Sequence, residues 1–246
     1  MGATWDAERG AKAAVWAVFY VLLWLLMHLS CELGFPGNCR RSYEPMDVLT
    51  EIPFLVAFAL AQAFLCDILD PKRFQGLAQK FYFPVVVVGS GVITSALMEN
   101  DVFVDIHESE EDLTAAENMC SILLVIFVCL VFIYHLYVAW KVLPGAVLVS
   151  GGVPLTADET APVATGNRYA QYLAITLLIA VYVALYGVFA YRRGDGWEYH
   201  HILLAWVMSL IATFDDAISV IWLGTTTGVF LQGVGAYSFG FLFHAN

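Results

Sequence analysis

The stretch "ATFDDAISV" (residues 212–220) decides how this chain is read. It sets two adjacent carboxylates, Asp215 and Asp216, in an apolar run, and the 30 residues after them hold no Asp, Glu, Lys or Arg. The surroundings read as membrane, so the acids are a transport site, a catalytic site or a structural contact. A carboxylate near mid-bilayer costs about 3 kcal/mol or more, so both should face a bundle interior or a water pocket.

The rest of the chain supports that reading. Of its 246 residues, 60% are hydrophobic and 13% charged, against about 25% charged in soluble domains. Apolar runs occur near 13–30, 52–69, 81–98, 119–140, 169–191, 202–223 and 225–243. Crossing a bilayer core takes ~20 helical residues. These runs leave no room for a soluble catalytic domain. The expected fold is all-α: one polytopic membrane helix bundle over 1–246 with about seven transmembrane helices. Membrane lipids are its first partners. No nucleic-acid partner is expected.

The opening "MGATWDAERGAK" has no basic n-region and no cleavage motif, so the first run is expected to be retained. Asp6 stands where myristoylation prefers Ser or Thr. With the N-terminus inside, the inner segments hold Arg9, Lys12, Lys72, Arg73, Lys80, Lys141 and Arg168. The outer loops hold Arg40, Arg41, Arg192 and Arg193. That bias favours the N-terminus inside. It puts the acidic loop 99–118 outside, where it is a solvated loop or meets a basic partner. The composition does not separate an organellar inner membrane from a plasma membrane.

Local signals delimit the helices. "TAAE" (114–117) forms a capping box before the fourth run. Asp70-Pro71 ends the second, and "RRGDG" (192–196) ends the fifth. "GTTTG" (224–228) combines glycine with β-branched threonine, so the sixth helix is expected to break from the seventh there. A re-entrant hairpin is the alternative for the last run. Gly89, Gly91, Gly228, Gly233, Gly235 and Gly240 are expected to permit close helix contact.

On a sixth helix running through 202–223, Ser209, Thr213, Asp216 and Ser219 share one face, and Asp215 lies ~100° away. In an up-and-down bundle the second, fourth and sixth helices run in the same direction. Asp67, His135, Asp215 and Asp216 then fall in the same half of the bilayer. With Thr213 and Ser219 they make an intramembrane cluster that is either a structural hydrogen-bonded set or a proton or cation site. At the opposite ends lie His28, Glu51, His200, His201 and His244, without metal or haem spacing. No metal and no cofactor is expected beyond bound lipid. Cys31 and Cys39 share the loop "CELGFPGNC" and pair only on an oxidising side. Cys66, Cys120 and Cys129 behave as small hydrophobes.

The length and seven-span layout resemble the microbial rhodopsins, whose last helix carries the retinal lysine. The lysines here, Lys12, Lys72, Lys80 and Lys141, sit at span ends or in loops, which excludes a photoactive rhodopsin. "LCDILD", "HLYVAW" and "FDDAIS" are similar to the membrane-embedded Asp and His elements of lysoplasmalogenases. In that family the acid and histidine helices follow one another, whereas a whole span intervenes here. Cys66 also replaces the glycine of the acid motif, so no family is assigned. No catalytic triad, HExxH pattern or phosphate loop is present. The expected function is that of a non-catalytic, accessory integral-membrane subunit among other membrane subunits, an energy-converting complex being one setting. The alternative is a small proton- or cation-translocating protein using the Asp/His cluster.

Overall fold

The computed structural model describes residues 7–32, 45–98, 115–143, 168–193, 200–237 and 239. Among them are eight helices and no strand: α1 (Ala7–Glu32), α2 (Pro45–Leu65), α3 (Pro71–Gln79), α4 (Tyr82–Met98), α5 (Ala115–Val142), α6 (Arg168–Arg193), α7 (His200–Ser209) and α8 (Ala217–Tyr237). Ala7–Ser30, Val125–Val142, Arg168–Leu185 and Ala217–Ala236 are long and apolar enough to cross a membrane. The pair α3 and α4, bent by 69°, makes a fifth if it is one span, and the apolar stretch Leu49–Leu65 of α2 is shorter. These helices are compatible with an integral membrane protein. Cys39 and most of the acidic loop, 99–114, lie outside the described residues, as does the side chain of Cys31.

The chain forms two compact units. Residues 118–193 form one, holding most of α5 and all of α6. Residues 1–117 and 194–246 form the other, with α1 to α4, α7 and α8. In this larger unit α1 buries Ala13, Trp16, Tyr20, Trp24 and Met27, a stripe at helical spacing. It turns Val15, Val18, Leu22 and Leu29 outward. An apolar exterior around an apolar stripe is what a helix needs when its surroundings are lipid rather than water.

Ring contacts give the helix directions. Trp16 of α1 stacks on Phe83 of α4 at 6.0 Å, and Tyr20 meets Phe230 of α8 at 6.1 Å. Farther along α1, Met27 lies against both Gly91 and Gly235. Helices α1, α4 and α8 therefore run the same way. On α2, Phe54 faces Phe239, Phe58 faces Phe230 and Gln62 faces Thr227, so α2 runs against α8. Helix α7 runs with α2, since Trp206 meets Phe58 edge-on at 5.0 Å and Ser209 meets Gln62.

Glycine sets the α4–α8 spacing. A Cβ on Gly228 would lie 2.1 Å from the Val87 carbonyl oxygen, and one on Gly224 would lie 2.9 Å from Val86 Cγ1. Gly89, by contrast, faces open space. This packing also corrects the expected break at "GTTTG". Helix α8 runs unbroken through 224–228, because both glycines seat α4 and the Thr226 hydroxyl bonds back to the Trp222 carbonyl at 2.8 Å. Tertiary packing outweighs the poor helix propensity. The break lies instead at 210–216, immediately before α8.

Candidate functional site

Two helix interruptions face each other in the larger unit. The first ends α2. The Ile68 N–H donates to the Ala63 carbonyl at 2.9 Å and the Asp67 N–H to the Phe64 carbonyl at 3.3 Å, with Asp67 at φ 54°. This is the glycine-type helix stop, here with Asp in the left-handed position, a residue that tolerates it. Three residues on, Asp70 Oδ1 accepts from the Lys72 and Arg73 N–H groups at 2.9 and 3.2 Å, and Pro71 opens α3. This is an N-cap followed by proline at the first helical position.

The second interruption is 210–216, and it begins deep in the bundle. Ser209, Gln62 and Thr227 meet, and Thr227 lies ten residues along α8 from Ala217, about 15 Å along that helix. Backbone carbonyls freed at such depth need donors from elsewhere in the protein. Trp222 Nε1 donates to the Met208 carbonyl at 3.0 Å, and Cys66 Sγ to that of Ser209 at 3.4 Å. Arg73 Nη2 donates to the Ala212 carbonyl. Lys80 Nζ reaches the Asp215 carbonyl at 2.6 Å and its Oδ1 at 2.5 Å. Helix α3 thus lies along the break, holding it through a residue near each end. Gly76 makes room, since a Cβ there would stand 2.7 Å from Asp215 Oδ2.

The break changes the geometry expected for the acids. Ser209, Thr213, Asp216 and Ser219 are not on one helix. Ser209 closes α7, Thr213 lies in the break, and Asp216 immediately precedes α8. Asp216 Oδ1 accepts from the Ile218 and Ser219 N–H groups at 3.0 Å each, and its Oδ2 accepts from the Ser219 hydroxyl at 2.7 Å. It is the N-cap of α8. Asp215 pairs with Lys80. Asp67 is exposed at the α2 stop. Asp67, Asp215 and Asp216 converge on Arg73 closely enough to act on it electrostatically. His135 belongs to the other unit, on α5. There its Nδ1 lies 2.8 Å from the Val131 carbonyl oxygen one turn earlier, a bond that puts the proton on Nδ1.

Above Arg73 lies a neutral polar node. Gln62 Nε2 donates to Ser209 Oγ at 2.7 Å and Thr227 Oγ1 at 3.1 Å, and Ser209 Oγ donates to the Trp206 carbonyl at 2.6 Å. All three residues are buried. Sequence reasoning missed Gln62, Arg73 and Lys80 as members of this region. One signal was there for Gln62. Glu51, Leu55, Ala59, Gln62 and Cys66 form a buried stripe of α2 and its stop, at spacings of four, four, three and four, with Ala63 buried beside it. No group of three or more His, Cys, Asp and Glu that could hold a metal occurs among the described residues.

Comparison with protein-family models, with curated proteins and with solved structures finds no match.

Proposed function

We propose that the chain is a non-catalytic, accessory subunit of a larger membrane assembly. The observation that carries this reading is the surface of α5. It exposes Ile122, Leu123, Val125, Ile126, Phe127, Leu130 and Ile133 over about 200° of its circumference, while Val131, His135 and Ala139 form its buried face. An apolar face that wide, left uncovered by the chain's own helices, suits lipid and neighbouring membrane subunits. The use made of the acids agrees. Asp216 and Asp70 cap helices, Asp215 holds Lys80, and the Arg73 guanidinium lies among Asp67, Asp215 and Asp216. The opposed directions of α1, α4 and α8 against α2 and α7 suit a count of seven membrane segments with α3 outside it, and the Lys/Arg bias favours the N-terminus inside. The acidic loop 99–118 is then free to meet a basic partner. No cofactor is assigned, and either an organellar inner membrane or a plasma membrane suits the bundle.

One observation favours a second reading. A helix interrupted inside a bundle, with carboxylates at the gap, is how ion-translocating proteins build their sites. Native mass measurement of the full chain extracted in mild detergent separates the two. A stoichiometric complex much heavier than 27.2 kDa is the expected result. A lone monomer or homo-oligomer overturns the subunit reading.

A further inference from the structure

Helix α3 carries one sign of a state held against opposing free energy. Arg73 is 6% exposed, yet of its three guanidinium nitrogens only Nη2 has a partner, the Ala212 carbonyl. Nε and Nη1 are buried without one. A guanidinium that has given up its water for one carbonyl bond and the nearby charges of Asp67, Asp215 and Asp216 still keeps two donors idle, and a rearrangement that rehydrates them relieves that cost. Such an unsatisfied group marks a strain reservoir. One residue beyond Cys66, Asp67 holds a left-handed backbone, a second local cost at the same turn.

Little holds α3 in place against this. It has nine residues, of which Arg73 and Leu77 are buried. The Lys80–Asp215 pair at its far end is partly in solvent, with side chains 22% and 52% exposed. Both ends are turns. Residues 66–70 precede it, and Lys80–Phe81 separate it from α4 at the 69° bend. The helices beneath are far better fastened, through the glycine contacts of α4 with α8 and the aromatic contacts of α1 and α2.

We propose that α3 is a hinged latch over the 210–216 break, opening as a unit while α1, α2, α4 and α8 stay packed. Closed, it supplies two donors to the break, Arg73 to the Ala212 carbonyl and Lys80 to that of Asp215. Open, it returns Arg73 to water beside the exposed carboxylate of Asp67. The Ala212 and Asp215 carbonyls are released, and the bend between α7 and α8 is free to change. The latch does not depend on the subunit reading above.

Cys66 is a native reporter of the open state. Its side chain is fully buried, and its thiol donates to the Ser209 carbonyl beside the break. The full chain is placed in lipid nanodiscs with Cys31, Cys39, Cys120 and Cys129 replaced by Ala. Alkylation of Cys66 by N-ethylmaleimide is then timed, and tryptophan fluorescence follows global unfolding. Lys80→Gln should raise the alkylation rate by up to about fivefold, the upper end for a partly exposed ion pair, without moving the global transition. Lys80→Arg should keep the parent rate. Arg73→Leu, which removes the idle nitrogens and keeps apolar bulk, should alkylate more slowly than the parent. The latch is overturned if Lys80→Gln leaves the rate unchanged, or if Lys80→Arg matches Lys80→Gln. It is equally overturned if the rate rises only with global unfolding, or if Arg73→Leu reacts at or above the parent rate. Should Arg73→Leu not fold, the two Lys80 variants decide alone.

Discussion

Replacing Gly228 by Ala tests whether α4 and α8 are held at the spacing that organises the larger unit. The added methyl would sit 2.0 Å from Ser90 Oγ and 2.1 Å from the Val87 carbonyl oxygen. The serine can rotate away, but the carbonyl belongs to the α4 backbone and cannot. A carbon–oxygen contact of about 3.3 Å requires the helices to part locally by more than 1 Å. Gly224, one turn away, packs on Val86 and Phe83, so the gap opens along the whole face. A gap of 0.5–1 Å already forfeits about a quarter to a half of each dispersion contact. With overpacking costs of about 1–3 kcal/mol when side chains can adjust, a clash with backbone should cost about 3 kcal/mol or more. For a chain of this size that is a fall of about 6–12 °C in melting temperature. Gly89→Ala is the control, since a Cβ there meets nothing within 4 Å. It should stabilise α4 by about 0.5–1 kcal/mol through its helix propensity. Both variants are heated in detergent, and the monodisperse fraction is read by size-exclusion chromatography. If the two alanines melt together, Gly228 does not set the spacing and the reasoning fails.

Two further substitutions probe the break. Asp216→Asn should keep stability within about 0.5 kcal/mol, because Asn caps helices as well as Asp does, whereas Asp216→Leu should lose about 1–2 kcal/mol; thermal melts of both variants check this, and an equal loss in the two would show that charge rather than capping matters. Gln62→Leu should cost about 1 kcal/mol or less, since interhelical hydrogen bonds in membranes average about 0.6 kcal/mol and the Gln62 carbonyl oxygen has no partner to lose. Gln62→Ala leaves a cavity as well and should fall further, by about 2–3 kcal/mol; urea titrations of both variants would refute this ordering by reversing it.

Much of the architecture was legible in the sequence, for a simple physical reason. Bilayer-length apolar runs must be helical to satisfy their backbones, so helices at 13–30, 81–98, 119–140 and 169–191 follow from composition and length. Asp70-Pro71 marked the region but not the event, since α2 already stops at Leu65 with Asp67 left-handed, and Asp70-Pro71 starts α3 instead of ending α2. The partners of the acids were not. Arg73 and Lys80 entered the sequence reading only as charges counted for topology. Nothing in "PKRFQGLAQK" (71–80) states that α3 folds back along a segment more than 130 residues downstream.

The misplaced break shows why pattern and structure part company here. "GTTTG" carries the local signals of a helix end, and "LIATFDD" (210–216) has neither glycine nor proline. Inside a membrane, though, propensity differences of a few tenths of a kcal/mol per residue are small beside several kcal/mol for an unsatisfied backbone group. A helix therefore ends where its last carbonyls find donors, and continues where they find none. At 210–216 the donors are present: Trp222 Nε1, Cys66 Sγ, Arg73 Nη2 and Lys80 Nζ, with the Asp216 carboxylate receiving the N–H groups of the next helix. At 224–228 the close face of α4 contributes packing contacts instead, and glycine there serves proximity rather than termination. The two aspartates in the opening motif are thus part of the hardware of a helix break. Asp216 starts α8, and Asp215 fastens α3 to the segment that α3 covers.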